Sequence, residues 1–217
     1  MRLPFTAEQF FDVFRLYNEA VWPAQFLLAA LGLGALLLVF TPNGGSSRVV
    51  SSVLALLWAW LAVVYHVLFF SRINPLAYGF GAVSFAGALV FVWQGVIRGR
   101  LRFAWRGGVR GATGLLLAAF ALMVYPLWSW SAGHRYPAMP TFGLPCPTTI
   151  FTLGMLAFVT GPYPRSPFVV PMLWCFVGVQ AALLLGVRPD LALIPAAVAG
   201  IVLMAKAGAS REERGIS

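Results

Sequence analysis

The sequence predicts an all-α, polytopic membrane bundle: seven transmembrane helices preceded by one amphipathic helix at the interface. Three observations predict it. Hydrophobic residues make up 60% of the chain and charged residues only 10%, against about 25% charged in an ordinary soluble domain. With so few charges the chain cannot cover its own surface in water. The apolar residues fall into seven runs, at about 22–40, 49–70, 75–97, 112–132, 147–160, 167–187 and 190–206, and a spanning helix needs about 20 such residues. The net charge of +9 gathers in the intervals between runs. That placement suits a topology signal facing anionic lipid and argues against nucleic acid as a partner. One integral membrane domain therefore covers 1–217, with 207–217 as a tail.

The elements follow in order. Residues 6–19, TAEQFFDVFRLYNE, open with Thr6 and Gln9 at capping-box spacing. Phe10, Phe14 and Tyr17 then share one helical face, while Glu8, Asp12, Arg15 and Glu19 fall elsewhere. This is an interfacial helix on the outer leaflet or a cap folded over the outer loops, and the two descriptions are compatible. The stretch lacks the basic start and apolar core of a cleaved signal peptide. The runs 49–70 and 75–97 are joined by SRINP, where Asn74-Pro75 signals a turn and Pro75 suits a first helical turn. They form an antiparallel hairpin.

Four runs carry small or turn-forming residues at i, i+4, i+7, i+11: Ala55, Ala59, Ala62 and His66; Ala77, Gly81, Ser84 and Ala88; Gly114, Ala118, Ala121 and Tyr125; Pro171, Cys175, Gly178 and Ala182. In lipid, such stripes let helix backbones approach closely, and dispersion holds them together. Pro126, Pro171 and Pro195 should kink their helices and free backbone carbonyls. The run at 147–160 is short, and the one at 190–206 is marginal in length. No internal repeat of the transporter kind is visible.

Ten of the fifteen Lys and Arg lie in the loops 41–48, 98–111 and 161–166 and in the C-terminal segment from Lys206. The positive-inside rule places these in the cytoplasm and the N-terminus outside. The segment RGRLRFAWRGGVR supplies Arg98, Arg100, Arg102, Arg106 and Arg110, which are expected to meet anionic lipid headgroups.

Chemistry has few places to sit. No Asp or Glu falls within a span; Asp190 lies at the edge of the last one, so no buried carboxylate relay is expected. There is no Walker loop, HExxH or CxxC, and Lys206 lies too near a span end for a mid-membrane Schiff base. No acid–base pair is visible, which disfavours an enzyme, and no cofactor is implied. The two cysteines make no disulfide framework, and Cys175 reads as a packing residue.

His66 is the one ionisable side chain inside a span, on a bundle-facing stripe. It reads as a ligand, as a proton-sensitive gate, or as a neutral imidazole bonded to a neighbouring helix. A bis-His haem would need His134, which lies in an irregular loop. In TFGLPCPTTIFTLG, Pro147 suits the first helical position, which makes Cys146 the N-cap of the short fifth span, beside free N–H groups. That setting, with Arg135 nearby, favours a thiolate that binds soft metals; the alternative is a small residue in a Pro-rich turn. Thr148 and Thr149 add hydroxyls, and Arg72 and Asn74 map to the same outer half.

Three blocks, FTAEQFFDVFRLYNEAVWPAQ, YHVLFFSRINPLAYGFG and FGLPCPTTIFTLG, together resemble an uncharacterised family of small bacterial polytopic membrane proteins catalogued as a domain of unknown function. The resemblance implies a multi-pass protein of the bacterial inner membrane and carries no activity. The residues themselves suggest a small permease or channel. Its solute or soft metal ion would enter an outer vestibule at Cys146 and His66, the two candidate metal ligands, with Thr148, Thr149, Asn74 and Arg72 around them. The alternative is a non-transporting sensor or accessory subunit packed against a membrane-protein partner. Self-association is open to either.

Overall fold

The computed structural model describes residues 4–207, which form eight helices and one two-stranded ribbon. The helices are α1 (Ala7–Ala20), α2 (Ala24–Phe40), α3 (Ser46–Arg72), α4 (Ala77–Ile97), α5 (Gly108–Ser131), α6 (Pro145–Leu156), α7 (Ser166–Leu185) and α8 (Arg188–Lys206). Five of them, α3, α4, α5, α7 and α8, are long and apolar enough to cross a membrane; α1 and α2, bent by 87° where they meet, qualify only as a pair. The strands are β1 (Arg102–Phe103) and β2 (Val159–Thr160), paired antiparallel.

Length and composition give five spans, or six with the bent α1–α2 pair counted as one, and the fifth apolar run is not among them. α6 has 12 residues, about 18 Å of helix at 1.5 Å per residue, against a hydrocarbon core of about 30 Å. All of its residues except Cys146 are buried. Protein surrounds it, so Thr148, Thr149 and Thr152 need no lipid-compatible face. Its core partner is α5: a Cβ added to Gly154 would stand 2.8 Å from the Ala118 nitrogen, and one on Gly114 2.9 Å from the Gly154 carbonyl oxygen. Two glycines therefore bring the α5 and α6 backbones into direct contact. The other small-residue stripes also face inward, all of their members being buried except Ala59. Three helices widen into π-helical turns, at Leu61–Phe69, Val92–Ile97 and Phe120–Val124.

The connections gather at two ends. At the arginine end, β1 pairs with β2, Trp105 N–H donates to Val39 O at 2.9 Å, and Phe103 N–H donates to the Ser47 hydroxyl at 3.0 Å. There too Tyr163 donates to Leu203 O and Arg165 to Ala207 O, both at 2.9 Å. The Arg110 guanidinium donates to Ala157 O at 2.8 Å and Val159 O at 2.6 Å, satisfying carbonyls just past the C-terminus of α6. So α6 with its flanking residues runs from the 132–144 loop to the arginine end, although its helix alone is too short to span.

At the opposite end α1 lies across the bundle. Its capping box is complete: Gln9 N–H donates to Thr6 Oγ1 at 3.2 Å and Thr6 N–H to Gln9 Oε1 at 2.9 Å. Phe10, Val13, Phe14 and Tyr17 are buried against α3, and Trp60 donates to the Tyr17 hydroxyl at 2.7 Å. The outward face carries Arg15 paired with Asp12 at 2.8 Å and with Glu19 at 3.0 Å. Asn18 ties α1 to the 132–144 loop: its amide donates to Pro137 O at 2.7 Å and Met139 O at 2.8 Å, and its oxygen accepts from the Thr141 hydroxyl at 2.8 Å. Of the two descriptions open for this helix, the cap over the loops is what the structure displays.

Candidate functional site

Under α1 lies a cavity of about 360 Å³, bounded by α1, α3, the start of α4, α5, α7, the N-terminus of α6 and the first turn of α8. Its polar floor begins with Asp190. Pro189 opens a 3₁₀ turn over Arg188–Ala192 at the start of α8, and this turn carries Asp190 inward until it is 3% exposed. The Tyr125 hydroxyl donates to its carboxylate. Tyr125 stands between the π-helical turn Phe120–Val124 and Pro126, whose missing N–H interrupts the regular ladder. The carboxylate relay set aside on sequence grounds therefore needs revision: a buried carboxylate is present, and a tyrosine holds it. Its signal was Pro189-Asp190 at the head of an apolar run, pointing the same way as Tyr125 at the end of the α5 stripe. No ion pair reaches Asp190 among the described residues.

Cys146 lines the same cavity and lies within reach of the Asp190 carboxylate. It is not the N-cap. Leu144 is the N-cap, Pro145 is the first helical residue, and Thr148 N–H makes the first helical bond to Leu144 O at 3.1 Å. The helix begins two residues earlier than expected because either proline of Pro145-Cys146-Pro147 can occupy the first turn. The charge nearest the thiol is a carboxylate, while Arg135 is exposed in the loop. That removes the side-chain part of the electrostatic case for a reactive thiolate.

Asn74 also lines the cavity, its Oδ1 accepting from Leu76 N–H at 3.1 Å in the turn between α3 and α4. The other candidates lie elsewhere. Arg72 is exposed, with its Nε donating to Leu68 O at 2.9 Å and its guanidinium 5.0 Å over the Phe69 ring. Thr148 and Thr149 are fully buried, with hydroxyls that lack a partner, and neither reaches the cavity wall. Thr152, on the same helix, accepts from the Trp58 indole at 3.1 Å and donates to Thr148 O at 2.7 Å.

His66 is buried in the π-helical part of α3, and neither ring nitrogen has a hydrogen-bond partner. Its neighbours are aromatic: the Trp174 ring centroid lies 4.9 Å away and that of Phe80 5.9 Å away. Trp174 lines the cavity and His66 does not; the imidazole stands behind the cavity-lining rings of Tyr65, Phe70, Phe80 and Trp174. Among the described residues no three His, Cys, Asp or Glu side chains converge as a metal set. His134 stacks on Phe11 at 4.2 Å, and partial burial holds its pKa below the ordinary imidazole value.

At the other end, Arg98, Arg100, Arg102 and Arg106 are exposed, and Arg98 sits 4.6 Å over the Trp93 ring. Arg110 is spent on the α6 carbonyls and lies 5.0 Å over the Tyr163 ring.

The chain belongs to a family of unknown function, DUF6064, whose family model matches residues 7–213. No curated protein and no solved structure matches it.

Proposed function

We propose that this member of the family is a multi-pass protein of the bacterial inner membrane that admits a small solute, as a permease or channel, through the cavity beneath α1. The observation that carries this reading is a single cavity holding a buried carboxylate, Asp190, a hydroxyl, Tyr125, and a thiol on its wall, Cys146, closed over by a helix held by side-chain bonds. A handful of polar groups in an otherwise apolar recess of this size is the usual form of a small-molecule site. The cavity opens where Leu76, Gln180 and Leu184 are exposed. Ten of the chain's fifteen basic residues put the arginine end in the cytoplasm, with Arg98, Arg100, Arg102 and Arg106 on anionic lipid. The cavity then faces outward. A solute suits the site better than a soft metal ion, since Cys146 has only one carboxylate beside it and His66 stands behind Trp174.

The second reading, a membrane sensor or accessory subunit, is favoured by α6. Its buried side chains close the inner side of the cavity, so passage requires α6 to shift, whereas binding does not.

The test bridges α1 to the loop below it. Phe11→Cys and His134→Cys, in a protein with Cys146→Ala and Cys175→Ala, are joined by a bis-methanethiosulfonate that reductant releases. Proteoliposomes are shrunk osmotically in glycerol, glycine or choline chloride, and volume recovery is followed by light scattering. Recovery faster than in empty vesicles for at least one solute, lost on bridging and regained on reduction, supports passage. Recovery equal to empty vesicles for all three overturns it and leaves the sensor reading.

A further inference from the structure

The chemistry of the cavity wall identifies the class of solute. Resting on the reading that the cavity is a binding site, we infer that it takes an organic ammonium cation. Three observations converge. First, among the described residues the one formal charge on the wall is negative: Asp190 is buried, and no Lys or Arg lines the cavity. A buried carboxylate without a cationic partner is unfavourable unless something neutralises or pairs with it. The Tyr125 hydroxyl donates to it and the Cys146 thiol lies within reach, which leaves acceptor capacity on a carboxylate able to take several bonds.

Second, much of the remaining wall is aromatic. Phe10, Phe14, Tyr65, Phe70, Phe80 and Trp174 all contribute. The Tyr65 and Phe70 rings stack at 5.7 Å and the Phe80 and Trp174 rings meet edge to face at 5.5 Å, so these side chains are mutually fixed. The faces of such rings attract cations, most strongly where water is excluded.

Third, the feature that would have favoured an anion is blunted. The N-terminus of α6 points at the cavity, but Pro145 and Pro147 occupy two of its first three positions and carry no N–H. An inorganic cation would need more oxygen or nitrogen ligands than this wall provides. An alkylammonium needs one carboxylate and an aromatic surround. Among the described residues the buried Trp174 indole N–H has no partner, which leaves a donor for a hydroxyl on the same ligand.

The test uses the full chain in detergent with Cys175→Ala, and reads the alkylation rate of Cys146, which shares the cavity. Choline, tetraethylammonium and benzyltrimethylammonium are each compared with the neutral compound in which carbon replaces nitrogen. We expect at least one ammonium to protect Cys146 at a concentration at least about tenfold below that of its neutral counterpart, from the combined carboxylate and cation–π terms. Asp190→Asn should abolish most of that difference while the protein keeps its elution volume. If Asp190→Asn does not fold, Trp174→Leu provides the second variant and should shrink the difference several-fold. Equal protection by each charged and neutral pair, or protection by none, overturns the inference. Protection by neutral compounds alone leaves the cavity as a solute site, and vesicle flux tests that separately. Ammonium-selective protection without flux keeps this inference and gives the protein to the sensor reading.

Discussion

At the scale of the residue, two buried polar groups in this bundle have opposite circumstances. Tyr125 and Asp190 satisfy one another, whereas the His66 nitrogens have no partner. Removing the hydroxyl should therefore harm, and removing the imidazole should not. Tyr125→Phe is expected to lower stability by about 1–3 kcal/mol, because the carboxylate loses its donor while still buried. Thermal unfolding in detergent measures this; a melting temperature equal to the parent's would mean that Asp190 has another partner. His66→Phe is expected to be neutral or to stabilise by up to about 1 kcal/mol, since an apolar ring of similar shape replaces unmatched polar atoms. A clear loss in the same assay would show that the imidazole is bonded after all.

At the scale of the element, α6 is the part whose character most separates this fold from a row of spanning helices. It is short, enclosed, and held at both ends: prolines at its start, Arg110 at its finish. Its packing on α5 has no slack. Gly154→Ala would drive a methyl group to 2.8 Å from the Ala118 nitrogen, so a loss of about 1–3 kcal/mol is expected from overpacking. Gly34→Ala is the control, because nothing lies within 4 Å of a Cβ there, and it should be neutral or stabilise by up to about 1 kcal/mol through the helix propensity of Ala over Gly. Equal melting temperatures for the two variants would mean that the α5–α6 contact relaxes freely. For α1, Asn18→Ala removes two donors and an acceptor toward the loop at 137–141. It should speed alkylation of Cys146 in the Cys175→Ala protein by loosening the cover; an unchanged rate would mean that α1 stays seated on its aromatic face alone.

At the scale of the whole molecule, the two-ended arrangement makes a prediction about sidedness. The 98–107 loop meets the ends of α2 and α3 that flank loop 41–45 through the Trp105–Val39 and Phe103–Ser47 bonds, while Arg135 belongs to the opposite end with α1. In a protein lacking Cys146 and Cys175, Gly44→Cys and Gly107→Cys should react together, and Arg135→Cys should react from the other side. With an impermeant thiol reagent added to intact cells, the five arginines of the 98–111 loop place Gly107→Cys among the protected sites. Labelling of Gly107→Cys from outside would invert the orientation. Opposite behaviour of Gly44→Cys and Gly107→Cys would break the two-ended architecture itself.

The sequence by itself determined what could be read locally. Length and apolarity marked the helices, because lipid demands a minimum run of apolar residues whatever the fold. Small residues at helical spacing marked the faces that pack, and Thr6 with Gln9 marked the start of α1, because a cap is a contact between near neighbours. It could not show that α6 is enclosed, since an apolar run surrounded by protein reads the same as one surrounded by lipid. It placed Cys146 in the cavity wall but paired it with His66, two positions related only by how α3, α6 and α7 pack. Trp174 lines the cavity beside that imidazole, with Tyr65, Phe70 and Phe80, and this aromatic layer parts the two. Asp190 was visible only as a charge at the edge of the last apolar run. Only the tertiary structure brought Tyr125, 65 residues away, to its carboxylate, because burial is a property of what folds over a residue, and here that is the far end of another helix.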